Sequence, residues 1–170
     1  NATIDEIVQQ AECSKGAFYH HFSSKEELFL YLLEHRFKYN QQRLRELCCW
    51  EGKAADWVSR VIQTILGFPQ NDRRWQMISI DFMSYGMRNE HVAKSIARMH
   101  QEWRDLIADP LLKSEEYRSG RIMVDPSTIA TCVIALIDGL IMQASMEPEQ
   151  ISLTRLAQRM EPLFRAWFKD

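Results

Sequence analysis

The stretch TIDEIVQQAECSKGAFYHHFSSK, residues 3–25, decides the fold, because it predicts two short helices joined by a tight turn. Thr3 is a preferred helix N-cap, and Glu6 completes a capping-box pattern with it. Ser14 provides a second N-cap, for a helix predicted over Lys15–His20. Two short helices separated by a tight turn are the outline of a helix-turn-helix DNA-binding motif.

The remaining chain is predicted to be helical, because apolar residues recur at helical spacing and few segments alternate with a period of two. Ser23 and Ser24 are predicted to cap a long third helix, which should finish near Trp50. We therefore predict an all-α fold, with a helix-turn-helix head over residues 1–27 and a helical-bundle body over residues 28–170.

The two C-terminal helices are the most apolar part of the body. Asp125 and Pro126 cap and begin the first of them, which reaches about Met146. Polar residues interrupt its apolar run, so a buried core helix, covered on more than one side, fits better than a membrane span. The second is predicted over residues 153–167, where Pro162 should kink the helix or remove one hydrogen bond.

Composition and charge narrow the function. The net charge of −2 argues mildly against DNA binding, and within residues 3–25 Asp5, Glu6 and Glu12 oppose Lys15 and Lys25. A small head on an acidic body can still bind DNA, because the local field decides. The cysteines lack metal-site spacing, and the neighbours Cys48 and Cys49 would point about 100° apart on one helix, which disfavours a redox pair. No catalytic motif is present, so we expect no enzyme activity, no metal and no cofactor. From the cysteine pattern we expect a reduced, cytoplasmic location.

The segment from Thr3 to Leu28 resembles the DNA-binding head of the tetracycline-repressor (TetR) family. The shared features are the capped T-x-x-x-I opening, the S-K-G of the second helix, the F-Y-x-H-F core and the S-K-E-E-L that leads into a long helix. The penultimate helix also carries A-L-I-D-G-L, as in many members. The resemblance implies a homodimer that binds palindromic double-stranded operator DNA, usually represses, and releases DNA when a small-molecule effector enters the body.

Two departures from the family pattern bear on the head. Many members have glycine in the turn, where a positive φ is convenient, and this position corresponds to Glu12. Members also have a helix before this motif that packs under the two helices of the helix-turn-helix. The sequence begins just after the point where that helix should end. Without that helix we expect Ile4, Ile7, Val8 and Phe18 to be partly uncovered and DNA binding to be poor.

The predicted DNA-binding residues lie on the capped helices of the head. Lys15, Gly16 and Ala17 begin the second helix, whose N-terminal residues meet base edges in this motif. Lys15 suits guanine, and the Ala17 methyl suits a thymine methyl. Phosphate contacts and caps complete the set, which is Thr3, Ser14, Lys15, Gly16, Ala17, Tyr19, His20 and Lys25. The alternative is that these residues are ordinary caps and surface polar groups.

The body carries two further predicted surfaces. A largely apolar ligand pocket is predicted from Trp57, Trp75, Phe82, Met83, Met99, Trp103 and Met142, which could equally be plain core. A dimer interface of the last two helices is predicted from Ile137, Gly139, Leu156, Met160, Leu163, Phe164 and Trp167, which could equally complete a monomeric core.

The sequence thus predicts a dimeric transcriptional regulator, most simply a repressor, that does not associate with membranes. The first alternative is a helical protein-interaction adaptor that no longer binds DNA, which the acidic balance favours. The second alternative is a small helical enzyme, which would need an acid–base set in the body.

Overall fold

The computed structural model describes residues 3–46, 52–67 and 73–169, and within these ranges the chain is helical apart from turns and an isolated antiparallel bridge between Ile122 and Phe168. The predicted all-α class is confirmed. The helices are α1 (Ile4–Gln10), α2 (Lys15–His21), α3 (Lys25–Arg45), α4 (Ala54–Leu66), α5 (Arg73–Gly86), α6 (Glu90–Lys113), α7 (Glu115–Arg118), α8 (Pro126–Met146), α9 (Leu153–Arg159) and α10 (Glu161–Arg165).

The chain divides into two compact units, Asn1–Lys38 and Tyr39–Asp170. The first unit, which we call the head, contains α1, α2 and the first part of α3. The ring of Phe22, which follows α2, lies 5.6 Å from the ring of Tyr31 on α3. This packing accounts for a head that continues into α3, whereas the sequence-based division was placed after residue 27.

The core of the head is better covered than the sequence analysis expected. Val8 and Phe18 are buried, and only Ile4 and Ile7 are half-buried. The ring of Tyr19 stands edge-on to Phe18 at 5.4 Å, and Phe22 lies 5.9 Å from Phe18. The aromatic cluster around Phe18 therefore supplies part of the cover that the prediction assigned to a preceding helix.

The second unit, which we call the body, is built around α4. Trp57, Val58, Val61 and Ile62 of this helix are all fully buried. Helices α6, α8, α9 and α10 pack against it, and α8 also packs against α5 and α6. The indole Nε1 of Trp57 donates to the carbonyl of Ile107 at 3.0 Å, so the most buried aromatic side chain also has its polar atom satisfied.

The prediction that α8 is buried on more than one side is wrong for the single chain. Ile129, Ala130, Val133 and Ile137 form one buried face. The exposed residues Thr131, Cys132, Ala135 and Met142 share the other side. Among the described residues α8 is the helix long and apolar enough to cross a membrane, yet it packs along α4, α5 and α6 as part of the helical body.

The predicted final helix is two helices. Because Pro162 has no N–H to donate and its ring would meet the carbonyl of Gln158, α9 ends at Arg159 and α10 begins at Glu161. Pro110, by contrast, lies inside α6, which continues to Lys113. The predicted end of the third helix near Trp50, together with Cys48 and Cys49, lies outside the described residues.

Candidate nucleic-acid interface

The first helix of the head begins with the capping box that the sequence predicted. The backbone N–H of Glu6 donates to Thr3 Oγ1 at 3.3 Å, and the backbone N–H of Thr3 donates to Glu6 Oε2 at 2.7 Å. These hydrogen bonds favour the charged carboxylate and lower the pKa of Glu6. Thr3 is thus fixed at the N-terminus of α1, on the surface of the head.

The turn between α1 and α2 is a Schellman motif with Glu12 in the left-handed conformation. Glu12 has a φ of 52°, and it is the position where the sequence analysis expected glycine. The N–H of Cys13 donates to the carbonyl of Val8 at 3.0 Å, and the N–H of Glu12 donates to the carbonyl of Gln9 at 3.3 Å. This pair of bonds satisfies carbonyls at the end of α1 and sets the direction in which α2 leaves.

The start of α2 presents small and basic side chains to the exterior. Ser14 Oγ accepts from the N–H of Ala17 at 3.1 Å, as predicted for an N-cap. Lys15, Gly16 and Ala17 are all exposed. A side chain at Gly16 would meet only Ser14 Oγ, at 3.7 Å, so the head itself does not require glycine there. The open space at Gly16 suits close approach of another molecule.

Lys15 makes an ion pair that the sequence analysis did not foresee. Its Nζ lies 2.6 Å from Asp5 Oδ1, and the two side chains keep 60% and 68% of their exposure. The hydrogen bond to Asp5 raises the pKa of Lys15. The residue predicted to read a base therefore faces a carboxylate from α1.

A groove of about 440 Å³ opens on the head beside the start of α1 and the start of α3. It brings together Thr3, Tyr19 and Lys25, which are distant in sequence. The lining residues are Thr3, Ile4, Tyr19, Ser23, Ser24, Lys25 and Glu26. The groove contains hydroxyl groups and an ammonium group, which suit a phosphate, together with the apolar Ile4 and the carboxylate of Glu26, which do not.

The serine pair before α3 is held by a glutamate. Both the N–H and the Oγ of Ser23 donate to Glu27 Oε2, at 2.7 Å and 2.6 Å, and these bonds lower the pKa of Glu27. Ser24 Oγ accepts from the N–H of Glu27 at 3.1 Å, which makes Ser24 the N-cap that the sequence predicted. His20 is exposed, and its ring stacks edge-on against His21 at 4.9 Å.

In the body, most of the residues predicted for a ligand pocket are core. Trp57 is fully buried, Phe82, Met99 and Trp103 are nearly so, and Trp75 and Met83 are half-buried. Met142 is 42% exposed. The ligand pocket remains a prediction.

The residues predicted for a dimer interface separate into three groups by their exposure. Ile137, Met160 and Phe164 are buried within the chain's own core. Leu163 is 63% exposed, and a side chain at Gly139 would meet no atom within 4 Å. Leu156 and Trp167 are half-buried.

Sequence reasoning missed a buried polar contact between α5 and α8. Ser145 Oγ donates to Gln76 Oε1 at 2.8 Å, and Gln76 is only 7% exposed. Ser145 Oγ also lies 2.8 Å from the carbonyl of Ile141, and Thr131 Oγ1 donates to the carbonyl of Ser127 at 2.8 Å. Of the polar residues that interrupt α8, Thr131 is thus satisfied by its own helix and Ser145 by its own helix and α5, a pairing that spacing alone does not reveal.

Two family models match the chain. Residues 54–167 match the model for the C-terminal part of BetI-type transcriptional repressors, and residues 1–32 match the model for bacterial regulatory proteins of the tetR family.

Curated relatives match over most of the chain. The uncharacterized HTH-type transcriptional regulator YwcC of Bacillus subtilis (strain 168) is 25% identical over 153 residues, 84% of this chain. The HTH-type transcriptional regulator UidR of Escherichia coli (strain K12) is 24% identical over 136 residues, 80% of this chain. The chain spans 66% of the length of each of these relatives.

Solved structures share the fold at low identity. The transcriptional regulator FadR from Bacillus subtilis, in complex with stearoyl-CoA, has a TM-score of 0.83 at 17% identity and covers 99% of this chain and 89% of its own. GusR of Salmonella enterica has a TM-score of 0.77 at 20% identity and covers 100% of this chain and 86% of its own.

Proposed function

Because the chain belongs to the TetR family of bacterial transcriptional regulators, we propose that it is a dimeric, sequence-specific DNA-binding repressor that a small, largely apolar ligand releases from its operator. The observation that carries the proposal is the surface of the head. A capped recognition helix presents Lys15, Gly16 and Ala17, and a groove beside it contains Thr3, Tyr19 and Lys25.

In the proposed complex α2 enters the major groove of DNA with its N-terminal residues toward the bases. Lys15 donates to guanine O6 or N7, and the methyl of Ala17 contacts a thymine methyl. Tyr19, His20 and Lys25, with Thr3, contact phosphates and set the register of the head rather than its sequence preference. The head shares the acidic balance, since Asp5, Glu6 and Glu12 oppose Lys15 and Lys25 within residues 3–25, so the proposal rests on where the two lysines lie and not on a net basic field.

The proposed dimer uses the face of α8 that the chain leaves uncovered. An apolar helix whose outer side is exposed favours pairing with a second copy of itself about a two-fold axis. Gly139 gives the flat point where a partner helix can approach closely, and the exposed Leu163 of α10 extends the apolar surface. Two heads held by such a dimer would match a palindromic operator.

The proposed effector binds in the body, among aromatic and methionine side chains of α5, α6 and α8. Support comes from Phe82, Met99 and Trp103, which give this region an apolar and polarisable lining. The FadR structure, which shares the fold, is in complex with stearoyl-CoA, a ligand with a long apolar chain. The cytoplasm is the proposed location, as for bacterial transcriptional regulators in general.

The proposed mechanism is mechanical and depends on α3, which connects the head to the body. Half-sites repeat about every 34 Å along the DNA, so a small change in the tilt of α3 in both protomers spoils simultaneous docking. A ligand can drive this change only if it binds the DNA-free conformation more tightly than the DNA-bound one.

The test is selection of operator DNA from a random-sequence duplex library with the full-length protein, followed by binding measurements. We expect a palindromic sequence bound at least about 10³-fold more tightly than random duplex at physiological salt. Lys15→Ala should weaken operator binding by about 1–3 kcal/mol and relax the preference at one position of each half-site. Lys94→Ala, which removes an exposed lysine of α6 paired with Glu90, is the matched control and should change neither quantity.

The adaptor alternative makes the opposite prediction for the same experiment. If the full-length protein selects no sequence, and its binding to DNA is weak and insensitive to salt, the repressor proposal is wrong and the adaptor is favoured. Loss of salt dependence is decisive here, because phosphate neutralisation releases counterions in every DNA-binding head.

A further inference from the structure

The ion pair between Lys15 and Asp5 joins the recognition helix to the helix before it. Lys15 Nζ lies 2.6 Å from Asp5 Oδ1, across the turn that contains Glu12. Asp5 has no capping role, because the cap of α1 is made by Thr3 and Glu6. Its carboxylate lies in the first turn of α1, where it also interacts favourably with the helix dipole, and it makes no capping hydrogen bond.

We propose that Asp5 determines DNA specificity by positioning the Lys15 ammonium group for base edges and keeping it away from phosphates. This inference rests on the proposed function of the head and extends it to a residue outside the recognition helix.

The positioning effect follows from the flexibility of lysine. A free lysine side chain has many rotamers, and holding it in one geometry costs conformational entropy when DNA binds. The ion pair with Asp5 restricts these rotamers before binding. An ammonium group has several N–H donors, so Lys15 can keep one hydrogen bond to Asp5 and still donate to guanine O6 or N7.

The selectivity effect follows from charge. A lysine without an acidic neighbour attracts any phosphate, and such contacts tighten binding to all sequences equally. A carboxylate at 2.6 Å offsets part of the Lys15 charge and repels a phosphate that approaches the same point, although both side chains are exposed and water screens the effect. A base edge carries no net charge, so it is accepted where a phosphate is disfavoured.

The decisive variant is Asp5→Asn in the full-length protein, measured against random duplex and against the operator that the wild-type protein selects. We expect binding to random duplex to tighten by about 2- to 5-fold. The salt dependence for random duplex, as the slope of log K against log salt concentration, should steepen by about one. The ratio of operator to random affinity should fall, and the base preference opposite Lys15 should relax.

Two controls separate positioning from a general charge effect. Glu12→Gln removes the same charge from the head at an exposed residue that does not pair with Lys15, and it should shift neither the slope nor the base preference. In the double variant Asp5→Asn with Lys15→Met, the effects of Asp5→Asn should disappear, because the ammonium group on which Asp5 acts is gone.

The inference is overturned if Asp5→Asn behaves like Glu12→Gln, or if its effects persist in the Lys15→Met background. The experiment distinguishes a failure of the proposed function from a failure of the role proposed for Asp5. A wild-type protein that selects no sequence contradicts the proposed function itself, whereas a selective wild-type protein with an unchanged Asp5→Asn variant contradicts only the role of Asp5. Circular dichroism of each variant checks that the head is folded.

Discussion

Replacing Glu12 with glycine is expected to stabilise the head, because Glu12 is held at a φ of 52°. The left-handed conformation costs a residue with a side chain roughly 1–2 kcal/mol, which glycine avoids. Glycine in turn loses more backbone entropy on folding, at a cost of about 0.4–1 kcal/mol. The difference is a net gain of about 0.5–1 kcal/mol for Glu12→Gly.

Native-state hydrogen exchange measures this gain in the head alone, even if the head opens independently of the body. The reporter is the amide of Cys13, which donates to the carbonyl of Val8 and is released when the Schellman motif opens. Its exchange, corrected for intrinsic rates, should slow by about two- to five-fold in Glu12→Gly. The amide of Phe18, which donates to the carbonyl of Ser14, should follow if α2 opens with the turn.

Glu12→Ala is the matched control, since alanine removes the carboxylate but keeps the side-chain penalty at positive φ. We expect the alanine variant to exchange at close to the wild-type rate. Faster exchange in Glu12→Gly, or an equal gain in both variants, would show that charge rather than backbone conformation governs this turn, and the reasoning would be refuted.

Two other predictions concern the body. Gly139→Ala should stabilise the isolated chain by up to about 1 kcal/mol in thermal unfolding, because alanine favours the helix and its Cβ would meet no atom within 4 Å. Sedimentation of the same variant should show a weakened dimer. A dimer of unchanged affinity would mean that Gly139 is not in the interface. Asp125 accepts hydrogen bonds from the hydroxyl of Ser127 and from the N–H groups of Thr128 and Ser127, and these bonds lower its pKa. Its contribution to stability is therefore present above the unfolded-state pKa of about 4 and is lost as the pH falls through the lower folded-state pKa. The melting temperature, measured by circular dichroism between about pH 7 and pH 2, should therefore fall less steeply with decreasing pH in Asp125→Asn than in the wild-type protein. Parallel curves of melting temperature against pH for the variant and the wild type would contradict this assignment.

The local structure of the head was predictable because its signals are short-range. The caps at Thr3, Ser14 and Ser24 each depend on residues within one turn, and all three form as expected. The left-handed residue at Glu12 was located through the family resemblance, because many members have glycine at this position of the turn. The break at Pro162 was underestimated, because periodicity alone could not tell a kink from a complete end of the helix.

The contacts between helices were not predictable, because they depend on how the elements pack. The ion pair of Lys15 with Asp5 requires the angle between α1 and α2, and the hydrogen bond of Ser145 to Gln76 requires the register of α5 on α8. The uncovered face of α8 was missed for a related reason. An apolar composition shows that a helix can be buried, but it does not show whether its own chain supplies the cover.

The bridge between Ile122 and Phe168 has a consequence for how the C-terminal helices move. The N–H of Met123 donates to the carbonyl of Trp167 at 2.9 Å, and the N–H of Lys169 donates to the carbonyl of Arg121 at 2.8 Å. These bonds clasp the segment before α8 to the segment after α10, so that α8, α9 and α10 form a closed loop. A displacement of α8 is then transmitted to α10 through these hydrogen bonds. A fluorescent fusion attached after Lys169 would begin beside Arg121.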